Sequence, residues 1–151
     1  MSDPSLQEQI RERTNAALKA GDKQLVGTLR LLSAAIKNRQ VELGHELSDD
    51  EVREVAGREV KKRKESIEAF EAAGRRELAD RERAERDVLV GYAPAQLSED
   101  AVDAMIDEAI AATGATSLKE MGKVMGRVMG QARGQVDGDL VQAKVKARLG
   151  G

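Results

Sequence analysis

The sequence predicts an all-α protein, with an N-terminal four-helix domain followed by a small three-helix tail domain. Three observations carry this. Apolar residues recur at helical spacing along almost the whole chain, while sustained period-2 alternation is missing. Capping residues and glycine stops divide the chain into seven segments. Pro94 interrupts the pattern between the fourth and fifth of them, because the residue before a proline avoids the helical region.

The first helix spans Pro4 to Ala20, with Asp3 as its cap, Pro4 in the first turn and Gly21 as its stop. Leu6, Ile10, Ala17 and Leu18 form its apolar stripe. The second starts after Asp22, places Leu25, Leu29, Leu32 and Ile36 on one face and stops at Gly44. The third opens on Ser48-Asp49-Asp50-Glu51, a capping box in which the serine oxygen accepts an orphan N–H and the glutamate reaches back. Val52, Val55, Ala56, Val60, Ile67 and Phe70 continue it, and Gly74 ends it. The fourth runs from Leu78 to Tyr92. Residues 93–97 form a hinge between a domain at 1–92 and a tail at 98–151. Ser98 caps the fifth helix and Gly114 ends it. Ser117-Leu118-Lys119-Glu120 reads as a second capping box opening the sixth. A turn at Gly134 to Gly138 precedes a seventh over Asp139 to Leu149.

Composition narrows the chemistry. Among 151 residues there is no cysteine, one histidine and two aromatics, Phe70 and Tyr92. A disulfide scaffold, a thiolate zinc site, a cysteine nucleophile and a multi-histidine metal site are therefore excluded. The core is left to Leu, Ile, Val, Met and Ala. No apolar run approaches the ~18 residues of a membrane span, and the polar N-terminus is unlike a secretory signal, so a cytoplasmic location is expected. No cofactor, metal or membrane partner is expected either.

Two motifs read as ordinary surface. Glu42-Leu43-Gly44-His45 is half of a carboxylate–histidine metal motif, but the second half is missing and Gly44 breaks the helix. Lys61-Lys62-Arg63-Lys64 suggests a nucleic-acid patch. At about 100° per residue, however, these side chains spread around the helix, which favours a solvated face with a semi-buried Glu59–Arg63 pair.

Charge is uneven. The fifth helix is purely acidic (Glu99, Asp100, Asp103, Asp107, Glu108). From Thr113 onward there are seven basic residues against three acidic ones. Within that basic end lies Met121-Gly-Lys-Val-Met-Gly-Arg-Val-Met-Gly130. On a helical wheel Lys119 and Arg127 fall within about 40° of Lys123. Leu118, Met121, Val124, Met125, Val128 and Met129 take the far side, and Gly122, Gly126 and Gly130 line up beside the basic ridge. Each glycine costs a helix about 1 kcal/mol relative to alanine, so three require a reason. Either a neighbouring helix packs on the bare backbone, or a phosphodiester chain approaches it and is held by the cations. Lys144, Lys146 and Arg148 are secondary candidates for the same role. The tail has no aromatic, so base stacking is unavailable there and any RNA contact would read phosphates and shape.

Thr28-Leu-Arg-Leu-Leu-Ser-Ala-Ala-Ile-Lys37, Glu59-Val-Lys-Lys-Arg-Lys-Glu-Ser-Ile-Glu68, Tyr92-Ala-Pro-Ala-Gln-Leu-Ser98 and Met121-Gly-Lys-Val-Met125 with the Gly134 to Gly138 turn follow one another in an order that resembles the YqeY-like family (GatB/YqeY). This is the free-standing relative of the tail of GatB, a component of the aspartyl/glutamyl-tRNA amidotransferase. Ala93 departs from the leucine expected before the proline, which loosens hinge packing. The resemblance implies a helical domain joined to a three-helix tail that engages tRNA, with a protein of the translation or tRNA-charging machinery as a further partner. It also brings a label, carbon–nitrogen ligase with glutamine as amido donor. No residue here matches the larger protein's glutaminase or kinase centres, so no enzyme activity of the chain on its own is expected. A protein-interaction module, in which the glycines and methionines dock a partner helix, is the alternative.

Overall fold

The structure, a computed structural model, describes residues 3–150. Among these are seven α-helices, one short 3-10 turn and no strand. The helices are α1 (Leu6–Ala20), α2 (Lys23–Leu43), α3 (Asp49–Ala72), α4 (Arg76–Val90), α5 (Glu99–Thr113), α6 (Met121–Gln131) and α7 (Gly138–Gly150).

Local capping chemistry sets most boundaries. Asp22, Ser48 and Ser98 each accept the backbone N–H of the residue three positions on. At Ser48 the reciprocal bond also forms, and its N–H holds the Glu51 carboxyl below the usual carboxylate range. Gly44 and Gly114 close their helices in the left-handed conformation. Three expectations need correction. The cap of α1 is Ser5, not Asp3, because Glu8 lies at the right spacing to complete a capping box with Ser5. The box at Ser117 does not form: Leu118–Glu120 is a 3-10 turn, and the Glu120 carboxylate instead faces the Thr116 N–H and hydroxyl at 3.4 Å. α4 also starts earlier than Leu78 and ends at Val90, before Tyr92.

The chain divides into two compact units, Met1–Pro94 and Ala95–Gly151. In the first, Ile10 of α1, Leu29, Leu32 and Ile36 of α2, Val52, Val55 and Ala56 of α3 and Leu89 of α4 are buried together, and Tyr92 and Ala93 pack on them. In the second, Val102 and Ile106 of α5, Val124 and Val128 of α6 and Val141 and Val145 of α7 form the core, with Leu97 against it. Leu97 donates its N–H to the Gln135 carbonyl (2.9 Å), and the Gln96 amide donates to the Gly134 carbonyl (2.9 Å). Ala93 thus packs with the first core and Leu97 with the second.

α3 and α4 pair beyond that first core around a buried arginine. Arg63 and Glu59 are 8% and 7% exposed, so their charges must be met inside the protein. Arg63 Nε donates to Glu85 (2.8 Å), Nη1 lies 3.4 Å from Glu59, and Lys62 reaches Glu59 from solvent at 3.0 Å. Glu82 Oε2 lies 3.4 Å from the same Nε but is buried without a hydrogen bond. Burial and the neighbouring Glu85 push the Glu82 carboxyl above its ordinary value, and Arg63 offsets this only in part. Arg63→Met should therefore cost about 3–5 kcal/mol in denaturant unfolding, since it strands carboxylates in the interface. Glu82→Gln should be neutral or stabilising at pH 7, where the native carboxylate is disfavoured.

Candidate nucleic-acid interface

The geometry of α6 follows from its amphipathic pattern. Val124 and Val128 are fully buried, and Met121, Met125 and Met129 pack around the same core as partly buried fillers. That orientation leaves Gly122, Lys123, Gly126, Arg127 and Gly130 exposed. A Cβ built on any of the three glycines meets nothing within 4 Å. No other element of the unit packs onto this strip, so the neighbouring-helix reading of the glycines is not realised within it.

The candidate cations fall into two groups. Lys123, Lys119 and Lys146 are exposed and make no ion pair among the described residues. Lys119 lies in the 3-10 turn rather than on α6, so the wheel that placed it beside Lys123 does not apply to it. Arg127 stands 4.0 Å from Glu108, a loose and exposed pair. Lys144 and Arg148 differ: the acidic face of α5 neutralises them. Lys144 Nζ lies 2.8 Å from Asp103 and 3.4 Å from Glu99, and Arg148 reaches Asp103 at 3.2 Å and Asp107 at 2.9 Å. The hydrogen bonds from Lys144 and Arg148 hold the Asp103 carboxyl below its usual range, and the same bond to Asp103 raises the Lys144 ammonium above its own. These two cations tie α7 to α5, and only the α6 edge, Lys119 and Lys146 keep their charge uncompensated or nearly so.

The other sequence motifs settle as ordinary structure. His45 Nδ1 lies 2.8 Å from the Glu46 carbonyl and its Nε2 3.7 Å from Glu51. Among the described residues no cluster of three or more His, Cys, Asp or Glu could hold a metal, and no helix is long and apolar enough to cross a membrane. Arg63, inside the Lys61–Lys64 run, is buried rather than presented to a ligand. One cationic feature escaped the sequence reading. Lys23, Arg30 and Lys37 repeat every seven residues along α2, in a stretch from 23 to 41 that contains no acid. Spacing and charge alone would have revealed it.

The family profile described as "Yqey-like protein" matches residues 7–149. An uncharacterized protein of the fission yeast Schizosaccharomyces pombe is 30% identical over 95 residues, which is 63% of this chain and 77% of that protein.

The α5–α7 pairing has a pH signature. Asp103 has a lowered folded pKa, so its contribution is present above the unfolded value of 3.8 and is lost as pH falls through the lower folded value. Lys144 has a raised folded pKa, so its contribution is present below 10.5 and is lost as pH rises through the higher folded value. Asp103→Asn should lower the melting temperature near neutral pH, and the gap between variant and wild type should shrink below about pH 3.8. A thermal melt series followed by circular dichroism measures both.

Proposed function

From the premise that the chain belongs to the YqeY-like family, we propose that it is a non-catalytic, tRNA-associated accessory module whose C-terminal unit holds RNA by its phosphate backbone. The proposed contacts are Lys123 and Arg127 with Gly122 and Gly126 beside them, supported by Lys119 and Lys146. Lys144 and Arg148 are placed in the second rank, because their charges already face carboxylates. In this reading residues 1–92 are a helical domain, 93–97 a linker and 98–151 the RNA-holding tail.

The observation that carries the proposal is the pairing of an open glycine strip with an unneutralised lysine on one face of α6. Bare backbone allows a sugar–phosphate chain to come close, and the adjoining cations supply salt-dependent affinity without sequence information. With no aromatic from Ala93 onward, the partner is a structured RNA read through its backbone rather than a stacked single strand. The protein-interaction reading draws on the same open strip and would seat a partner helix there. A pull-down repeated after nuclease treatment separates them: partners lost with the RNA favour the first reading, and partners retained favour the second.

Filter binding of a tRNA transcript at a series of salt concentrations tests the contacts. Lys123→Glu with Arg127→Glu should weaken binding roughly tenfold or more and reduce the salt slope by about 0.7–0.9 per lost contact. Unchanged affinity would remove these residues from the interface.

The glycines give a separate test. Gly126→Ala should stabilise the protein by up to about 1 kcal/mol, since the position is helical and open. Gly126→Leu should fold equally well yet bind tRNA several-fold more weakly. A Leu variant with unimpaired binding would show that close approach at this position is not needed.

A further inference from the structure

The exposed face of α2 carries a second cationic surface, in a different unit from α6. Seven residues are nearly two helical turns, so Lys23, Arg30 and Lys37 lie almost in line and drift only about 20° per step. They are about 10 Å apart along the axis, and the row spans about 20 Å. All three are exposed, and none makes an ion pair or side-chain hydrogen bond among the described residues. Gly27 and Ala34, both exposed, stand between them, and a Cβ built on Gly27 meets nothing within 4 Å. The opposite face is core: Leu29 and Leu32 are fully buried and Ile36 nearly so.

The first unit is not basic as a whole, with 18 basic and 19 acidic residues over 1–94. The row is therefore a local segregation of charge rather than a sample of a basic surface. Beside it, between α1 and α2, lies an open cleft of about 230 Å³ lined by Arg11, Thr14, Asn15 and Ser33 among others. Arg11 likewise has no partner among the described residues, and Asn15 and Ser33 are exposed hydrogen-bonding groups.

We propose that this α2 face is a second contact surface for RNA, on which Lys23, Arg30 and Lys37 hold successive stretches of sugar–phosphate backbone. The proposal rests on the reading of the protein as an RNA-associated module and adds the N-terminal unit to it. Three observations choose the occupant. A row about 20 Å long exceeds any mononucleotide or small phosphate, so only a polyanion can neutralise all three cations together. Gly27 and Ala34, which stand between the cations on that face, are small, which suits close approach of a sugar–phosphate chain. A bilayer-binding helix would instead carry large apolar or aromatic side chains along that face. Finally, the hydroxyl and amide groups in the adjoining cleft match the donor–acceptor character of a ribose 2′-OH.

The test is binding of a tRNA transcript and of an RNA duplex of about 20 base pairs to the full chain over a salt series, with vesicles of phosphatidylserine and phosphatidylcholine in parallel. Lys23→Gln, Arg30→Gln and Lys37→Gln together should weaken RNA binding at least tenfold and lower the salt slope by about 2. Lys23→Arg with Lys37→Arg should bind as wild type, and retained helical signal and melting temperature verify folding of both. If the triple variant binds RNA as wild type does while Lys123→Glu with Arg127→Glu does not, this inference falls and the α6 reading stands. If the triple variant loses binding and the α6 variant keeps it, this inference stands and α6 is displaced. Binding of the wild type to vesicles and not to RNA overturns both.

Discussion

The ion pairing of α5 with α7 decides which cations of the C-terminal unit remain available. α5 contributes Glu99, Asp103 and Asp107 to one side, and Lys144 and Arg148 of α7 meet them at 2.8–3.4 Å. Exposed pairs of this kind contribute little stability individually, but here they form a connected set with Asp103 shared by two cations. Their larger consequence is electrostatic. The stretch from Thr113 onward is basic when counted along the chain, yet its α7 cations are largely neutralised along the α5–α7 seam. Among the described residues of this unit, the cations without an ion pair are Lys119, Lys123 and Lys146, with Arg127 only loosely met by Glu108 at 4.0 Å.

The first unit separates charge in a different way. Its buried Arg63 draws Glu59, Glu82 and Glu85 to the α3–α4 interface, and α4 adds a pair between Arg83 and Glu71 of α3. These carboxylates are occupied within the hairpin, while α2 carries no acid until Glu42, which pairs with Arg39 at 2.8 Å. A unit close to neutral overall thus presents an acid-free helix face. Net charge would have given no hint of this, because within a Debye length (~10 Å) a polyanion meets the local arrangement of charge rather than only its sum.

Most of the fold was legible because the signals are local. Asp22, Ser48 and Ser98 lie three residues from the N–H groups they accept, and Gly44 and Gly114 occupy the positions where a helix end needs a left-handed residue. The Glu59–Arg63 pair was legible for the same reason, since four residues bring side chains together on any helix. The misses involve competition or distance. Ser5 outcompetes Asp3 because Glu8 completes its box. Ser117 fails as a cap because the next three residues tighten into a 3-10 turn. The neutralisation of Lys144 and Arg148 joins residues about forty positions apart, which no periodicity reveals. At α6 the apolar side, the exposed edge and the glycine line were all readable from the wheel. What the wheel could not say was whether another helix covers the glycines.

Gly21, Gly44, Gly74, Gly114 and Gly134 have positive φ, a conformation that resists a side chain. Gly138 and Gly150 sit under Met129 and Leu118, at 3.6 Å and 3.2 Å from an added Cβ. Gly27, Gly122, Gly126 and Gly130 have neither excuse, because they are helical, exposed and surrounded by open space. Alanine at each would stabilise its helix by up to about 1 kcal/mol, a sizeable sum against the 5–15 kcal/mol typical of a domain. Folding therefore gives no ground for these four, whereas the proposed RNA contacts would. Each stands beside the cations of an uncovered helix face, Gly27 between Lys23 and Arg30, and the other three along Lys123 and Arg127. In the proposed contacts a phosphate chain would be drawn in by charge and then limited by how closely its backbone can approach the helix. Removing the Cβ relaxes that limit at the cost of helix stability, so on the proposed reading bare backbone and cations on one face are two requirements of a single contact.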